Sequence, residues 1–335
     1  MKRPWLIPLV PLYAAGVAMR AAGLRNQVLP LHRLRWPVIS VGNLSVGGTG
    51  KTPFTIALAR ILLSQGLYVD VLSRGYGRKS KIVERVDLDG TAEQYGDEPL
   101  LIARETGVPV YVATRRWQAG RLAEREARNE TGVHLLDDGF QHRQLVRLVD
   151  IVLVNSEDLA DWPLPAGNLR EGLSALRRAR VLAVPAEDQA AIARLRDLGF
   201  DSRPERPVWR FRREMVVPEI PESLAARPFV AFCGIARPDQ FLSGLAKAGI
   251  HAAEKRVFPD HHPFTRKDVE MLLRLAESTG SGALVTTAKD LFRLGNLGTA
   301  LDDALPIFGV DLRVVLEDEV GVAAWLRRSL GMPPK

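Results

Sequence analysis

The sequence predicts a two-part α/β fold: a parallel β-sheet with helices on both faces, joined by a β-ribbon to a smaller α/β unit. Three observations predict it. From Pro37 onward, short apolar runs alternate with segments of helical periodicity, the pattern of βα units that feed a parallel sheet. A glycine-rich turn at residues 45–52 lies between the first apolar run and the first helix. Two stretches of period-2 alternation bracket the second unit and predict a paired ribbon. In one, Trp209 and Phe211 alternate with Arg210 and Arg212; in the other, Phe308, Val310, Leu312 and Val314 alternate with Gly309, Asp311 and Arg313.

Taken in order, residues 38–41 read as a short buried strand. Residues 53–64 read as a helix with Phe54, Ala57, Leu58 and Ile61 on one face, closed by Gly66. Strands follow at 67–72, 108–113, 133–136, 150–154 and 181–184. Between them lie a short helix at 98–106, with Asp97 at its start and Gly107 after its end, and an amphipathic helix at 115–129. The second unit begins near residue 208. It holds strands at 229–232 and 283–286, a helix at 238–248 ended by Gly249, and a helix at 265–277 opened by Thr265 and Asp268 at capping-box spacing. A last helix at 318–330 starts acidic and ends on Arg327 and Arg328, which suits the helix dipole.

The 335 residues suit two domains at roughly 150 each. A composition of 46% hydrophobic and 25% charged residues excludes disorder and coiled coil as descriptions of the whole. Cys233 is the single cysteine, so neither an intrachain disulfide nor a cysteine metal cage is available. The net charge of +7 is localised: the first 69 residues hold eight basic side chains (Lys2, Arg3, Arg20, Arg25, Arg33, Arg35, Lys51 and Arg60) and no Asp or Glu. The remainder holds 38 basic against 39 acidic residues, so the positive excess predicts an anionic partner for the N-terminal end. Residues 5–24 are apolar apart from Arg20. A signal peptide, a spanning helix, a buried helix and an interfacial anchor all fit such a run. Pro8 and Pro11 are expected to break its first half, which favours the anchor.

The glycine-rich turn reads Ser45-Val46-Gly47-Gly48-Thr49-Gly50-Lys51-Thr52. Between a strand and a helix this is a P-loop, so the large sheet is P-loop NTPase-like. Backbone N–H groups of the turn and the helix N-terminus cradle phosphates, Lys51 reaches the β- and γ-phosphates of ATP, and Thr52 holds Mg²⁺. The first glycine of the usual pattern is here Ser45. The apolar run at 133–136 ends in Asp137-Asp138, and one of these carboxylates is expected in the Mg²⁺ shell.

Other loops leave alternatives open. Gly96-Asp97-Glu98-Pro99 is either a helix N-cap or the seat of a general base. Asp260-His261-His262-Pro263 is a turn, or holds a histidine that shares a base's proton; its spacing does not suit zinc. Ser73-Arg74-Gly75-Tyr76-Gly77-Arg78 follows a strand's C-terminal end, where open α/β sheets bind ligands, and Arg74 and Arg78 suit a phosphate. Pro165-Ala166-Gly167-Asn168-Leu169-Arg170-Glu171 is a second such loop.

In this order the motifs resemble the tetraacyldisaccharide 4′-kinase family of the lipid A pathway: Gly42-Asn43 before the P-loop and Pro53, Ser73 to Tyr76, Gly96 to Pro99, Asp137-Asp138-Gly139-Phe140-Gln141-His142, 165–171, 258–261 and Thr286 to Asp290. The resemblance runs from the N-terminus to about residue 315. The Thr-Ala-Lys-Asp run at 287–290 departs from the family's more usual Thr-Glu-Lys-Asp. The resemblance implies transfer of the ATP γ-phosphate to the 4′-hydroxyl of a tetraacylated disaccharide 1-phosphate. It implies that Asp97 is the base, assisted by His261, with Lys51 at the phosphates, Asp137 and Asp138 on the metal side, and Arg170 and Glu171 in the acceptor cleft. It further implies a monomer at the cytoplasmic face of the bacterial inner membrane, with a glycolipid substrate. Residues 1–25 would then associate with an anionic membrane surface, 26–207 form the kinase domain with 318–335 packing back on it, and 208–317 form the smaller domain with the ribbon. The rivals lack support in the residues. Partition-type ATPase switches carry a lysine where Val46 stands, no guanine-reading Asn-Lys-x-Asp occurs, and basic residues are not interleaved with stacking aromatics as nucleic-acid binding requires.

Overall fold

The computed structural model describes residues 3–127 and 131–333. The expected end of the helix at residue 129, and Lys2, lie outside the described residues. Twelve strands are β1 (Val38–Asn43), β2 (Val69–Ser73), β3 (Glu84–Arg85), β4 (Val110–Val112), β5 (Val133–Leu136), β6 (Val149–Leu153), β7 (Val181–Pro185), β8 (Val208–Val216), β9 (Phe229–Cys233), β10 (Ala252–Val257), β11 (Ala283–Thr287) and β12 (Ile307–Leu316). The helices are α1 (Val10–Arg25), α2 (Lys51–Ser64), α3 (Ala92–Tyr95), α4 (Asp97–Thr106), α5 (Arg116–Glu126), α6 (Ser156–Leu159) and α7 (Gln189–Asp197). They continue with α8 (Glu222–Ala225), α9 (Pro238–Lys247), α10 (Arg266–Thr279), α11 (Ala288–Leu294), α12 (Asn296–Ala304) and α13 (Glu319–Ser329).

All twelve strands form one sheet in the order β10-β9-β11-β12-β8-β7-β6-β1-β5-β2-β4-β3. Pairing is parallel except for β8 with β12 and β3 with β4. The two alternating stretches are that antiparallel β8–β12 pair, with Phe211 opposite Leu316 and Asp311 opposite Val216. The ribbon therefore carries the sheet continuously from the larger unit into the smaller one. Central strands β1, β2 and β5 to β7 are buried along their whole length, as strands covered by helices on both faces must be.

On one face the core joins Phe54, Leu58 and Ile61 of α2 to Leu100 and Ile102 of α4 and to Val322, Trp325 and Leu326 of α13. Thus α13 packs on the larger unit, its Trp325 edge-on to Trp209. On the other face α5 packs through Ala119 and Ala123, and α7 through Ile192 and Leu195. Sequence periodicity did not reveal β10, whose Glu254-Lys255-Arg256 face is exposed; charges there blunt the open edge of the sheet.

The N-terminal segment differs from expectation. Pro8 and Pro11 do not break it: a 3-10 turn at Pro4–Leu9 runs straight into α1, with Pro11 in the first helical turn, where a missing N–H costs no hydrogen bond. Among the described residues this is the one helix long and apolar enough to cross a membrane. Trp5, Leu12 and Met19, spaced by seven, are 72%, 74% and 75% exposed. The inner side touches the loop at 165–171: the Arg3 N–H donates to Ala166 O at 2.7 Å and Tyr13 Oη to Arg170 O at 3.0 Å.

Candidate active site

The P-loop begins where β1 ends. Gly50 occupies the N-cap of α2 at φ 87°, a left-handed conformation that favours glycine, and no side chain caps the helix. The first N–H groups of α2 therefore remain available to an anion. The loop is braced on one side by 165–171: the Val46 N–H donates to Asn168 O (2.8 Å) and the Arg170 N–H to Leu44 O (2.7 Å). On the other side Arg213 of β8 donates through Nη2 to Thr49 O at 2.9 Å. Ser45, in the place of the usual glycine, is buried. Lys51 Nζ lies 3.4 Å from Gly47 O and 3.6 Å from Asp138 Oδ1.

Because β5 lies beside β1, Asp137 and Asp138 open onto this loop. Asp137 is buried and accepts a hydrogen bond from Thr55 Oγ1 at 3.2 Å. Burial, with Asp138 and Glu98 nearby, pushes its carboxyl up to about 7, although Lys51 and Thr55 pull the other way. Asp138 is one of three non-glycine residues at positive φ (47°) among the described residues. Burial opposes its charge, but Lys51 and Arg170 outweigh it and hold the carboxyl below its ordinary range. Arg170 Nη1 lies 3.0 Å from both Asp138 oxygens. The donor set fits Mg²⁺: a hydroxyl on the first turn of α2 (Thr52) and a buried carboxylate short of neutralising charge (Asp137), the one or two protein ligands Mg²⁺ takes beside nucleotide phosphates. No group of three His, Cys, Asp or Glu able to hold a metal without such phosphates occurs among the described residues.

Asp97 opens α4, but Gly96 is its N-cap, and no side chain caps it. The cap reading is thereby excluded: Asp97 points to the smaller unit instead. Its Oδ2 accepts from Arg293 Nε of α11 at 2.5 Å and meets His261 Nδ1 at 3.2 Å; among the described residues Oδ1 carries no hydrogen bond. Arg293 is itself fixed through Nη1 to Gly234 O (2.6 Å) and Asp290 Oδ1 (2.8 Å). Buried Asp290 also accepts from the Gly234 N–H (3.0 Å) and from Thr287 Oγ1 (2.7 Å). Next door Lys289 Nζ donates to Glu98 Oε1 at 2.5 Å. Burial works against the charge on Asp97, but the hydrogen bonds from His261 and Arg293 and the charges of Arg293 and Lys289 outweigh it, so its carboxyl lies below the ordinary range. His261 sits at φ 59°, with the Tyr76 ring 5.7 Å from its own. Such backbone strain gathers at functional sites.

The remaining expected residues divide. Arg74 is exposed, and its charge acts on buried Arg116 and His142. Burial pushes Arg116 down to about 10, and burial with Arg116, Arg147, Arg20 and Arg74 pushes His142 down to about 3. Arg116, Arg147, Arg20 of α1 and Arg74 thus act together on His142, and Arg170 acts on Arg116. Glu171 instead fixes Arg178, at 2.9 Å from its Nη2, and Arg178 rests on the Phe140 ring. Arg78, expected at a substrate phosphate, is anchored in its own loop: its Nη1 donates to Ile82 O at 2.8 Å and meets Glu84 at 3.4 Å. The tight loop at 75–84 needs that carbonyl satisfied, and Nη1 is engaged there, while buried Nη2 has no hydrogen-bond partner among the described residues.

Sequence reasoning missed Arg293, Arg213 and Arg116. Arg293 had a usable signal, since it follows Asp290 by three residues and shares its helix face. Arg213 and Arg116 had none: Arg213 differs from its arginine-rich neighbours only in where β8 points it, and Arg116 from Arg115 only in opening α5.

Comparison with known proteins places these observations in one context. Residues 2–331 match the model of a family described as tetraacyldisaccharide-1-P 4′-kinase. A protein of Koribacter versatilis named tetraacyldisaccharide 4′-kinase is 43% identical over 320 residues, covering 93% of this chain and 94% of that one. One of the same name from Aquifex aeolicus is 36% identical over 334 residues, covering 95% and 96%. Among solved structures, the "apo" form of LpxK from Aquifex aeolicus in complex with ATP aligns with a TM-score of 0.76 at 34% identity, over 97% of this chain and 98% of that one.

Proposed function

The chain belongs to the tetraacyldisaccharide-1-P 4′-kinase family, and from that premise we propose how its residues divide the work. The reaction transfers the γ-phosphate of ATP to the 4′-hydroxyl of tetraacyldisaccharide 1-phosphate, giving lipid IVA and ADP in lipid A biosynthesis. Such a transfer asks a protein for positioning and charge neutralisation rather than covalent chemistry.

In this reading the backbone of residues 45–52 cradles the triphosphate, and Lys51 leaves Asp138 for the β- and γ-phosphates. Thr52 and Asp137 would hold Mg²⁺, with Asp138 the second carboxylate on that side; when bound, the ion would neutralise charge on the phosphates. Asp97 is the base. Oδ2 is occupied by Arg293 and His261, which leaves Oδ1 for the 4′-hydroxyl. As the hydroxyl oxygen forms its bond to the γ-phosphorus and the bond to the β-phosphate oxygen breaks, the proton passes to Oδ1. His261 orients the carboxylate and offers the proton a way out. Arg74, Arg116 and Arg170 attract the anionic acceptor.

The observation that carries this reading is the pairing of an ionised carboxylate, one oxygen free, with a P-loop site close enough that Glu98 of the same helix acts on Asp137. The acceptor is a lipid, so we place the enzyme at the cytoplasmic face of the inner membrane, with the Trp5–Leu12–Met19 stripe entering the acyl boundary. The test supplies ATP, Mg²⁺ and the disaccharide acceptor in detergent. ADP should form in step with phosphorylated lipid and stop without acceptor; acceptor-independent hydrolysis would overturn the assignment in favour of a nucleotide switch.

A further inference from the structure

Arg213 is the one cation of the ribbon that reaches the P-loop, and four observations define its place among the described residues. It lies on β8 opposite Val314 of β12, in the strand pair that connects the two units. Its Nη2 donates to Thr49 O at 2.9 Å, and its Nε lies 3.3 Å from where a Cβ on Gly50 would stand. Its guanidinium rests 5.3 Å from the centre of the Phe211 ring, and fully buried Phe211 packs edge-on against Phe54 of α2 at 5.5 Å. The arginine and the helix that follows the P-loop therefore share one rigid platform. Finally, no carboxylate pairs with it. Burial and the like charge of Arg237 disfavour its charged form, and Glu187, Asp188 and Asp158 act only from beyond ion-pair distance.

A half-buried guanidinium without an ion-pair partner is costly unless an anion uses it. Thr49 is the residue whose carbonyl precedes the Gly50 and Lys51 N–H groups, so fixing that carbonyl fixes the peptide plane that presents the Gly50 N–H. Resting on the kinase reading above, we propose that Arg213 is a nucleotide-positioning residue: it holds the Thr49–Gly50 peptide so that the loop N–H groups face the triphosphate, and it brings a positive charge to that loop from the ribbon. Arg213 acts through the loop and takes no part in proton transfer. It makes the grip on ATP depend on the ribbon's position, and hence on the smaller unit that carries Arg293 and His261.

The test uses the full-length protein with Arg213→Gln, which keeps a donor and removes the charge, and Arg213→Lys, which keeps the charge and loses the fork. ATP-induced thermal stabilisation needs no acceptor and reads the site even if the acceptor were misassigned. Arg213→Gln should melt like the wild type without nucleotide, yet lose most of the shift with MgATP. In turnover its KM for ATP should rise roughly tenfold, the loss of one charge-assisted hydrogen bond, with the KM for the acceptor and the pH profile unchanged. Arg213→Lys should recover part of the ATP shift. Wild-type ATP stabilisation and KM in Arg213→Gln would overturn the proposal. So would a variant that melts earlier without nucleotide while keeping its KM for ATP, because that pattern marks a structural role alone.

Discussion

Arg293 Nε and Asp97 Oδ2 stand 2.5 Å apart across the boundary between the two units. The contact does two things at once. With the hydrogen bond from His261 it keeps the carboxylate ionised despite its burial, and it makes that ionisation depend on the smaller unit being in place. A base with a lowered pKa is fully charged at neutral pH but gives up proton affinity, so the transfer to Oδ1 must be late and driven by the forming phosphate ester.

Asp97→Asn should lower kcat by about 10²- to 10⁴-fold with the KM for ATP little changed, as removal of a base acting in the transition state would. Thermal melting of the variant separates this from a structural loss. Intact kcat with a lower melting temperature would end the base assignment.

The pH dependence follows from the same pair. Arg293 and His261 hold Asp97 below its ordinary value, so the acid limb of kcat/KM should lie below the usual carboxylate range. Arg293→Gln removes the stronger charge, raises the Asp97 pKa and should move that limb to higher pH. A limb that stays put, or moves to lower pH, contradicts the sign. His261→Gln should move it in the same direction, and the double variant should fall short of additivity because both partners act on Oδ2.

Lys51→Ala should cost about 3–4 kcal/mol of transition-state stabilisation, the scale of a single contact to developing charge. Near-wild-type turnover would remove the P-loop from the mechanism. Thr52→Ala should be partly rescued by raised Mg²⁺, because the missing hydroxyl weakens the ion's site without abolishing it.

How much of this was legible in the sequence depended on whether the signal was local. The strands β1, β5 and β7 and the helices α2 and α10 were visible because burial writes its own period, and Thr265 and Asp268 do form the reciprocal cap their spacing predicts. The P-loop was visible because phosphate binding needs consecutive residues. Nothing local links Asp97 to His261, which are 164 positions apart, and the residues left Asp97 as cap or base. Only the resemblance paired them. Arg74 and Arg78 look alike in sequence, and only the structure shows that Arg78 also ties its own loop together through Ile82 O while Arg74 stays exposed. Pro11 misled because a helix-breaking residue is harmless in a first turn, and sequence alone did not show where the first turn lay; Pro8 sits inside the 3-10 segment that precedes it.

Away from the cleft, His134 of β5 is buried between Asp70 (2.7 Å) and Glu124 (3.5 Å). Burial alone would lower its pKa, but the two carboxylates outweigh it and push it up to about 9. A histidine raised above its ordinary 6.5 stabilises the fold fully below that value, and the contribution is lost as pH rises through about 9. Urea midpoints should therefore fall between pH 6.5 and 9.5 in the wild type, and His134→Gln should flatten that fall. Equal slopes in both proteins would show that His134 is not held charged in the fold.

Deletion of residues 1–25 should release the protein from membranes and raise the apparent KM for the lipid while leaving ATP-induced stabilisation intact. The outward stripe of Trp5, Leu12 and Met19 is apolar and exposed, a face that water penalises and an acyl boundary accepts. The inward side is bonded to Ala166 and to Arg170, the residue that reaches Asp138, so the segment proposed to meet the bilayer also touches the loop that carries Arg170. Arg25, Arg33 and Arg35 should add about 1 kcal/mol each toward anionic headgroups, so salt should weaken attachment without abolishing it. Replacing Trp5, Leu12 and Met19 together by serine tests the stripe without removing the contacts of Arg3 and Tyr13. That variant should lose vesicle binding and keep its kcat in detergent. A variant that stays on the membrane would mean that the basic arm, or a spanning arrangement of the helix, holds the enzyme there.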